Sequence, residues 1–291
     1  MSSTPQLRAD PQEIARALAV LFDEGDVVEL RIPKTERDGT VSGYFSNHTL
    51  LLKALASRNG DAAVYLTLNP VVPSLLARCA NRVRSRARTT TSDKDIERRC
   101  WLLIDCDPVR PAEISSTDAE HEAALERARD IRLVLSEEGW PAPVLADSGN
   151  GAHLLYRTDL PNDEPAAKLV EGVLKALAGR FDDDAVKIDQ TVFNAARICK
   201  AYGTVSRKGD DLEERPHRLS RIIDAPSRLA PVERELLKAL AGSAAPPPPP
   251  PRPASRARFD IEAFVTRHLH ARAPVSHEGG RKCAGGVSIQ S

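Results

Sequence analysis

In the segment WLLIDCDP, residues 101–108, four apolar residues lead into two aspartates that flank a cysteine. Residues i and i+2 of a strand point to one face, so Asp105 and Asp107 project together while Cys106 faces the other way. Two close carboxylates repel, and one tends to take a proton. A divalent cation removes that conflict, and hard oxygen ligands suit Mg²⁺ or Mn²⁺. Asp-x-Asp-Pro is also good turn chemistry at a strand end, so the pair by itself leaves a metal site and a solvated turn both open.

Three other segments carry chemistry. DSGNGAHLLYR, from Asp147, puts a glycine-rich turn before a strand whose second residue is His153. Glycines allow backbone N–H groups close to a phosphate, and an imidazole beside them adds a donor; a plain hairpin turn with an incidental histidine is the simpler account. KIDQTVFNAARICKAYGTVSRKGD adds a third acid, Asp189, on the face opposite Val186 and Ile188, followed by the cations Arg197, Lys200, Arg207 and Lys208. Such a run is ordinarily charged surface, and its sharper meaning is triphosphate recognition. RVRSRARTTTSDKDIERR, which includes Arg84, Arg86 and Arg88, reads as a mostly exposed basic loop. It is either a solvated connection or a surface for a phosphate backbone.

The elements that must position these residues follow from periodicity. DPQEIARALAVLF is a helix with Asp10 as N-cap, Pro11 at its first position and Glu13 completing a capping box. Ile14, Leu18, Leu21 and Phe22 share its apolar face. VVELRI alternates Val28, Leu30 and Ile32 with Glu29 and Arg31, a strand with one wet face. GTVSGYF and AAVYLTL are strands, and a helix capped by Asn47 and stopped at Gly60 lies between them. A short helix is expected around PSLLARCAN. CWLLIDCD is a strand, followed by a long helix ending at Gly139. APVLAD and AHLLYR form a hairpin through SGNG. A helix over EPAAKLVEGVLKALAGRF, a strand over AVKIDQ, a helical turn or two over FNAARICKAYG, a late strand HRLSRIID and a closing helix PVERELLKALAG complete the body.

Composition bounds the rest. The chain has 291 residues, 41% of them hydrophobic and 28% charged, enough for a soluble core. Net charge is +0, so charge in bulk says nothing about partners. The 5 cysteines include no C-x-x-C pair, which argues against a zinc site or a disulfide framework and fits reduced thiols. The first residues lack the apolar core of a signal peptide, and no apolar run approaches the length of a membrane span. A cytoplasmic protein is expected, with no membrane partner.

LLIDCDP, SGNGAHLLY and KIDQTVFNAARICKAYGT, in this order and at these spacings, resemble motifs I, II and III of the archaeo-eukaryotic primase superfamily. More narrowly, the chain is similar to the bifunctional primase-polymerase domains of plasmid, phage and mobile-element replication proteins, over about residues 100–225. The resemblance implies an α+β primase-polymerase fold: a mixed or antiparallel, palm-like (RRM-like) sheet flanked by helices, with an N-terminal α/β module. It implies a domain over 1–242, divided into an N-terminal module 1–99 and a catalytic palm 100–242. A proline-rich linker over 243–258 and a C-terminal tail over 259–291 follow.

The resemblance also implies that Asp105, Asp107 and Asp189 are catalytic metal ligands for Mg²⁺ or Mn²⁺, and that His153 contacts the incoming triphosphate. Ser148 or Gly151 in the turn, with Arg197, Lys200, Arg207 and Lys208, would add nucleotide contacts, and Arg84, Arg86 and Arg88 would contact DNA. The activity implied is template-directed nucleotidyl transfer on single-stranded DNA from nucleoside triphosphates, with a 3′ hydroxyl attacking an α-phosphate in line. Relatives often continue into a zinc-binding or helicase region; no Walker A sequence or cysteine cluster is present here, so either a separate replicative helicase is the expected partner or the tail is a truncated continuation. Two rivals remain at this level: a metal-dependent nuclease using the same acids, and a non-catalytic remnant that only binds single strands.

Overall fold

The structure is a computed structural model, and it describes residues 7–35, 37–58 and 62–243. Gly60 and the expected linker and tail beyond Ser243 lie outside the described residues. The order of elements is α1 (Pro11–Leu21), β1 (Val28–Thr35), β2 (Gly39–Phe45), α2 (His48–Ala56), β3 (Tyr65–Thr67), β4 (Arg98–Pro108), α3 (Asp118–Glu137), β5 (Val144–Asp147), β6 (Ala152–Pro161), α4 (Glu164–Phe181), β7 (Val186–Ile188), β8 (Ile198–Lys200), β9 (Val205–Ser206), β10 (Arg218–Leu219), β11 (Arg221–Asp224) and α5 (Arg234–Gly242). Short 3-10 helices cover Pro73–Arg78, Asp93–Asp95 and Gln190–Phe193. The fold is α+β, and every pairing between the described strands is antiparallel.

Two sheets carry the molecule. One has the order β11-β5-β6-β4-β7 and the other β2-β1-β3-β8, with a small β9-β10 pair beside them. In β4, Leu102, Ile104 and Cys106 are fully buried on one face, against which α3 packs across β4, β6 and β7. The expected 2-residue side-chain alternation therefore holds here and leaves Asp105 and Asp107 on the opposite face. α4 packs on β7 and α5. Between the sheets, the buried Asn69 accepts from the backbone N–H groups of Cys100 and Trp101 and donates to the Ala195 carbonyl. It thereby satisfies β4 where its register with β6 shifts between Arg99 and Trp101.

Four sequence expectations are corrected. Asp10 does cap α1, but Glu13 closes no capping box: its carboxylate accepts from Ile222 N, and Asp10 N donates to Gly203 instead. β1 does not have a wet face at Glu29, which is 0% exposed. The basic segment after β3 runs along β2, with Arg84 paired to Ser42 in both backbone directions, and covers that face. The expected helical turn over FNAARICKAYG is instead a turn that leads from the last residue of a 3-10 helix, Phe193, into β8, because Ile198–Lys200 pairs with Thr67–Tyr65 and thus extends the N-terminal sheet. Three residues carry too little periodicity to compete with an open strand edge. Finally, Asp189 is one residue past β7 and caps the 3-10 helix rather than lying in the strand.

Candidate functional site

A cleft of about 320 Å³ opens between the two sheets. One wall comes from β4 and the β5–β6 hairpin and carries Asp105, Asp107, Ser148, Asn150 and His153. The other comes from β1, β3 and β8, with Pro33, Tyr65, Cys199 and Lys200; Ser206 and Lys208 close one end, and Val192 and Arg197 also line it. β8 is the element that brings the cations of the third motif to the acids of the first.

Asp105 lies opposite His153 in the β4–β6 register, with His153 Nε2 3.3 Å from Asp105 Oδ1. Nδ1 of His153 is 2.7 Å from the Tyr202 hydroxyl, which also reaches Cys199 Sγ at 3.4 Å. Burial opposes the charge on both partners, but their attraction outweighs it: the His153 pKa lies well above its ordinary value and that of Asp105 below the usual carboxylate range. When protonated, the imidazole of His153 donates from both nitrogens, to Asp105 and to Tyr202.

Asp107 is the strained member. The charge on Asp105, then burial, push its pKa up to about 6, against the opposing pull of Lys208 and Arg110. Arg110 Nη2 is 3.7 Å from Asp107 Oδ1. A pair of oxygen donors whose mutual repulsion is this poorly relieved fits a hard divalent cation. The Asp189 carboxylate is less free: it accepts from Thr191 N at 2.8 Å and Thr191 Oγ1 at 2.7 Å, although its own N–H donates to the Asp105 carbonyl. Among the described residues, no group of three or more His, Cys, Asp or Glu is arranged to hold a metal ion.

The glycine-rich turn works differently from the backbone cradle expected of it. Gly149 N donates to Asp147 Oδ1 at 2.6 Å, and Gly151 N donates to Ser148 Oγ at 3.0 Å. Gly149, at φ 91°, adopts the left-handed conformation that the turn needs. Gly151 is required for a different reason: a Cβ there would collide with the Cys106 carbonyl. The turn thus presents the side chains of Ser148 and Asn150 to the cleft, not the N–H groups of Gly149 and Gly151.

The cations divide. Lys200 is 5% exposed, donates to the Val205 carbonyl at 2.9 Å and stands 5.7 Å from the Tyr65 ring centre. Among the described residues no carboxylate pairs with it, and burial lowers its pKa to about 7. Arg197 donates to the Thr191 carbonyl while its buried Nε has no partner among the described residues. Lys208 faces the cleft, but Arg207 does not line it and turns to the Leu7 carbonyl at 3.5 Å. β9 ends at Ser206, so the loop that follows it, not strand alternation, sets Lys208 into the cleft and Arg207 out of it. Arg84, Arg86 and Arg88 are exposed on the segment along β2, at the far edge of the sheet from β8, and do not line the cleft.

Sequence reasoning missed Tyr65, Asn150, Cys199 and Ser206 as lining residues and Arg110 as the cation beside Asp107. Asn150 lies inside the quoted turn, and Cys199 and Ser206 inside the quoted third segment, but no feature of their own set them apart there.

Two solved structures are similar to this chain. One is the AEP domain of the cyanophage S-2L primase-polymerase (PrimPol), with 16% identity and a TM-score of 0.45, covering 82% of this chain and 100% of that one. The other is primase RepB′, with 12% identity and a TM-score of 0.43, covering 90% of this chain and 66% of that one. No protein-family model matches the sequence, and no curated protein matches it. Likenesses this distant leave the chemistry to be read from the residues of the cleft. No helix among the described residues is long and apolar enough to cross a membrane.

Proposed function

We propose that this chain is a DNA primase-polymerase: a template-directed nucleotidyltransferase that acts on single-stranded DNA and takes nucleoside triphosphates. The observation that carries this reading is one cleft that brings the mutually repelling carboxylates Asp105 and Asp107 together with Lys208 and Arg197, cations whose charges bear on Asp105. A site where mutually repelling acids and cations border one cleft suits a ligand that brings both a divalent cation and phosphate oxygens.

Asp105 and Asp107 would hold Mg²⁺ or Mn²⁺, joined by Asp189 once its carboxylate gives up Thr191. That ion supplies charge neutralisation at the reacting phosphate and acidifies the attacking hydroxyl. Lys200, Arg197 and Lys208 neutralise triphosphate oxygens from β8 and the segments on either side of it. The Nε2–H of His153 is held by Asp105 and becomes available to a phosphate oxygen when Asp105 turns away from it. Tyr202 keeps the imidazole in place through that exchange, because its hydroxyl holds Nδ1. Little covalent chemistry is asked of the protein beyond positioning and electrostatics. The arginines along β2 contact the template backbone, and a separate helicase would supply it.

The test is a priming and primer-extension assay on single-stranded DNA with ribo- and deoxyribonucleotides and each metal, together with Asp105→Ala and Asp107→Ala. Template-dependent incorporation with pyrophosphate release, abolished in both variants while single-strand binding persists, is the expected result. DNA cleavage without pyrophosphate would point to a nuclease, and binding without either reaction to a remnant.

A further inference from the structure

The wall of the cleft formed by the glycine-rich turn has spent the N–H groups of Gly149 and Gly151 internally, so its side chains become the groups to ask about for anion recognition. Asn150 is the most constrained of them. It is 4% exposed, and its Oδ1 accepts from Ser116 N at 2.9 Å and Ser116 Oγ at 3.3 Å. A backbone N–H can only donate, so this contact fixes the orientation of the carboxamide. Its Nδ2 must then face Ser206 Oγ, 3.0 Å away.

That donation decides what Ser206 can do. A hydroxyl has one proton to give and lone pairs to accept with. Ser206 Oγ accepts from Asn150, so its own proton is directed elsewhere, and no acceptor for it is present among the described residues. Ser206 lines the cleft between Asn150 and Lys208 and is itself only 6% exposed. A buried hydroxyl with an unspent proton that borders an anion-binding cleft matches a phosphoryl oxygen. The surroundings hold this geometry from several sides. Arg218 pairs with Ser206 across β9–β10, and its guanidinium donates to the Ser116 and Gly149 carbonyls. Asp147 is bound by His121 at 2.8 Å while it holds Gly149 N.

We propose that Ser206 is a nucleotide-binding residue whose hydroxyl donates to a phosphate oxygen of the incoming nucleoside triphosphate, and that Asn150 is the positioning residue that aims it. This rests on the nucleotidyltransferase reading above, since that reading supplies the triphosphate. Neither residue belongs to the acids, the histidine or the cations that the motifs single out.

The test uses the full-length chain and compares binding of a nucleoside triphosphate with binding of the corresponding nucleoside. Ser206→Ala should weaken the triphosphate about tenfold, as expected for removal of a hydrogen bond to a charged oxygen, and leave the nucleoside unchanged. In steady-state incorporation the effect should appear in KM for the nucleotide, with kcat at saturation largely kept. Asn150→Ala should do the same, and the double variant should be little worse than either single one, because Asn150 acts through Ser206. If Asn150→Ala unfolds, Ser206→Ala alone carries the test, since it removes one oxygen from a site of small residues. A wild-type protein that binds triphosphate together with a Ser206→Ala variant of equal affinity would overturn the proposal and leave the nucleotidyltransferase reading standing. A wild-type protein that binds no triphosphate would overturn both. Additive effects in the double variant would overturn the positioning role of Asn150.

Discussion

Asp105 and His153 are register partners on neighbouring antiparallel strands, and their side chains meet at 3.3 Å on the face of the sheet that lines the cleft. The pair holds a charge on each partner that burial alone would suppress. Tyr202 fixes the other side of the imidazole from the segment after β8, so the histidine is held at both ring nitrogens.

This anchoring gives a graded pair of variants. His153→Ala should weaken nucleotide binding roughly tenfold or more, because a charge-assisted hydrogen bond is worth on the order of 1.5–3 kcal/mol. Tyr202→Phe keeps the imidazole but loosens it, and should cost only a few-fold. Single-stranded DNA affinity should be unchanged in both. Nucleotide titrations of the two proteins side by side check the order; equal affinity in His153→Ala and the wild type would return the histidine to a packing role.

Lys200 makes stability and binding oppose each other. Its pKa falls from 10.5 to about 7 on burial, which at about 1.4 kcal/mol per unit is a cost of roughly 5 kcal/mol. Between about pH 7 and pH 10.5 the unfolded chain binds the proton and the folded chain does not, so this residue makes stability rise with pH across that window. Lys200→Met should therefore raise Tm by several degrees at neutral pH while weakening triphosphate binding. The difference in Tm from the wild type should shrink towards pH 10. A variant that melts lower at every pH would mean that the Val205 and Tyr65 contacts outweigh the desolvation.

Glu29 is a structural acid. It is wholly buried, with Arg31 Nη2 at 2.5 Å, Ser42 Oγ at 2.5 Å and Thr91 N at 3.0 Å. Removing it takes the acceptor from Thr91 N and leaves Arg31 Nη2 only the Thr91 carbonyl, and breaking such a pair typically costs about 3–5 kcal/mol. Glu29→Ala should lower the urea midpoint accordingly and expose the segment around Arg84–Thr91 to early proteolytic cutting. Unfolding at the wild-type midpoint would contradict the arrangement.

The arginines of that segment should act on template alone. The backbone around them is tied to β2, with Ala87 N donating to Thr40 and Arg86 N to Asp38, so changing the side chains should leave the fold in place. Replacing Arg84, Arg86 and Arg88 with Ala should weaken single-strand binding for all sequences. It should also flatten the dependence of log affinity on log salt by about 0.7 for each phosphate that is no longer neutralised. An unchanged slope would mean that the template runs elsewhere.

Local rules were enough to read several parts of the molecule from the chain. The side-chain period of a strand puts Asp105 and Asp107 on one face and Cys106 on the other, and β4 obeys it. The caps Asp10 and Asn47 and the long helix before Gly139 depend on contacts within a few residues, and they too were legible. Glu13 failed as a capping residue because a partner 209 residues away, Ile222 N, took its carboxylate. Glu29 failed as a wet residue because a remote segment folded over it.

What the sequence by itself determined is the chemistry of single elements: the acid pair, the hairpin with its histidine, and a following run of cations. Which of those cations meet the acids was decided only by the tertiary structure. Ile198–Lys200 is too short to declare its own conformation, and it becomes a strand because β3 offers it an edge. That pairing buries Lys200 in the lining of the cleft, and the chain after it brings Ser206 to Asn150 and turns Arg207 outward. The register of β4 against β6 likewise sets Asp105 before His153, 48 residues apart in the chain. Strand register and sheet order are settled by burial summed over the whole core, and no window of a few residues contains that sum.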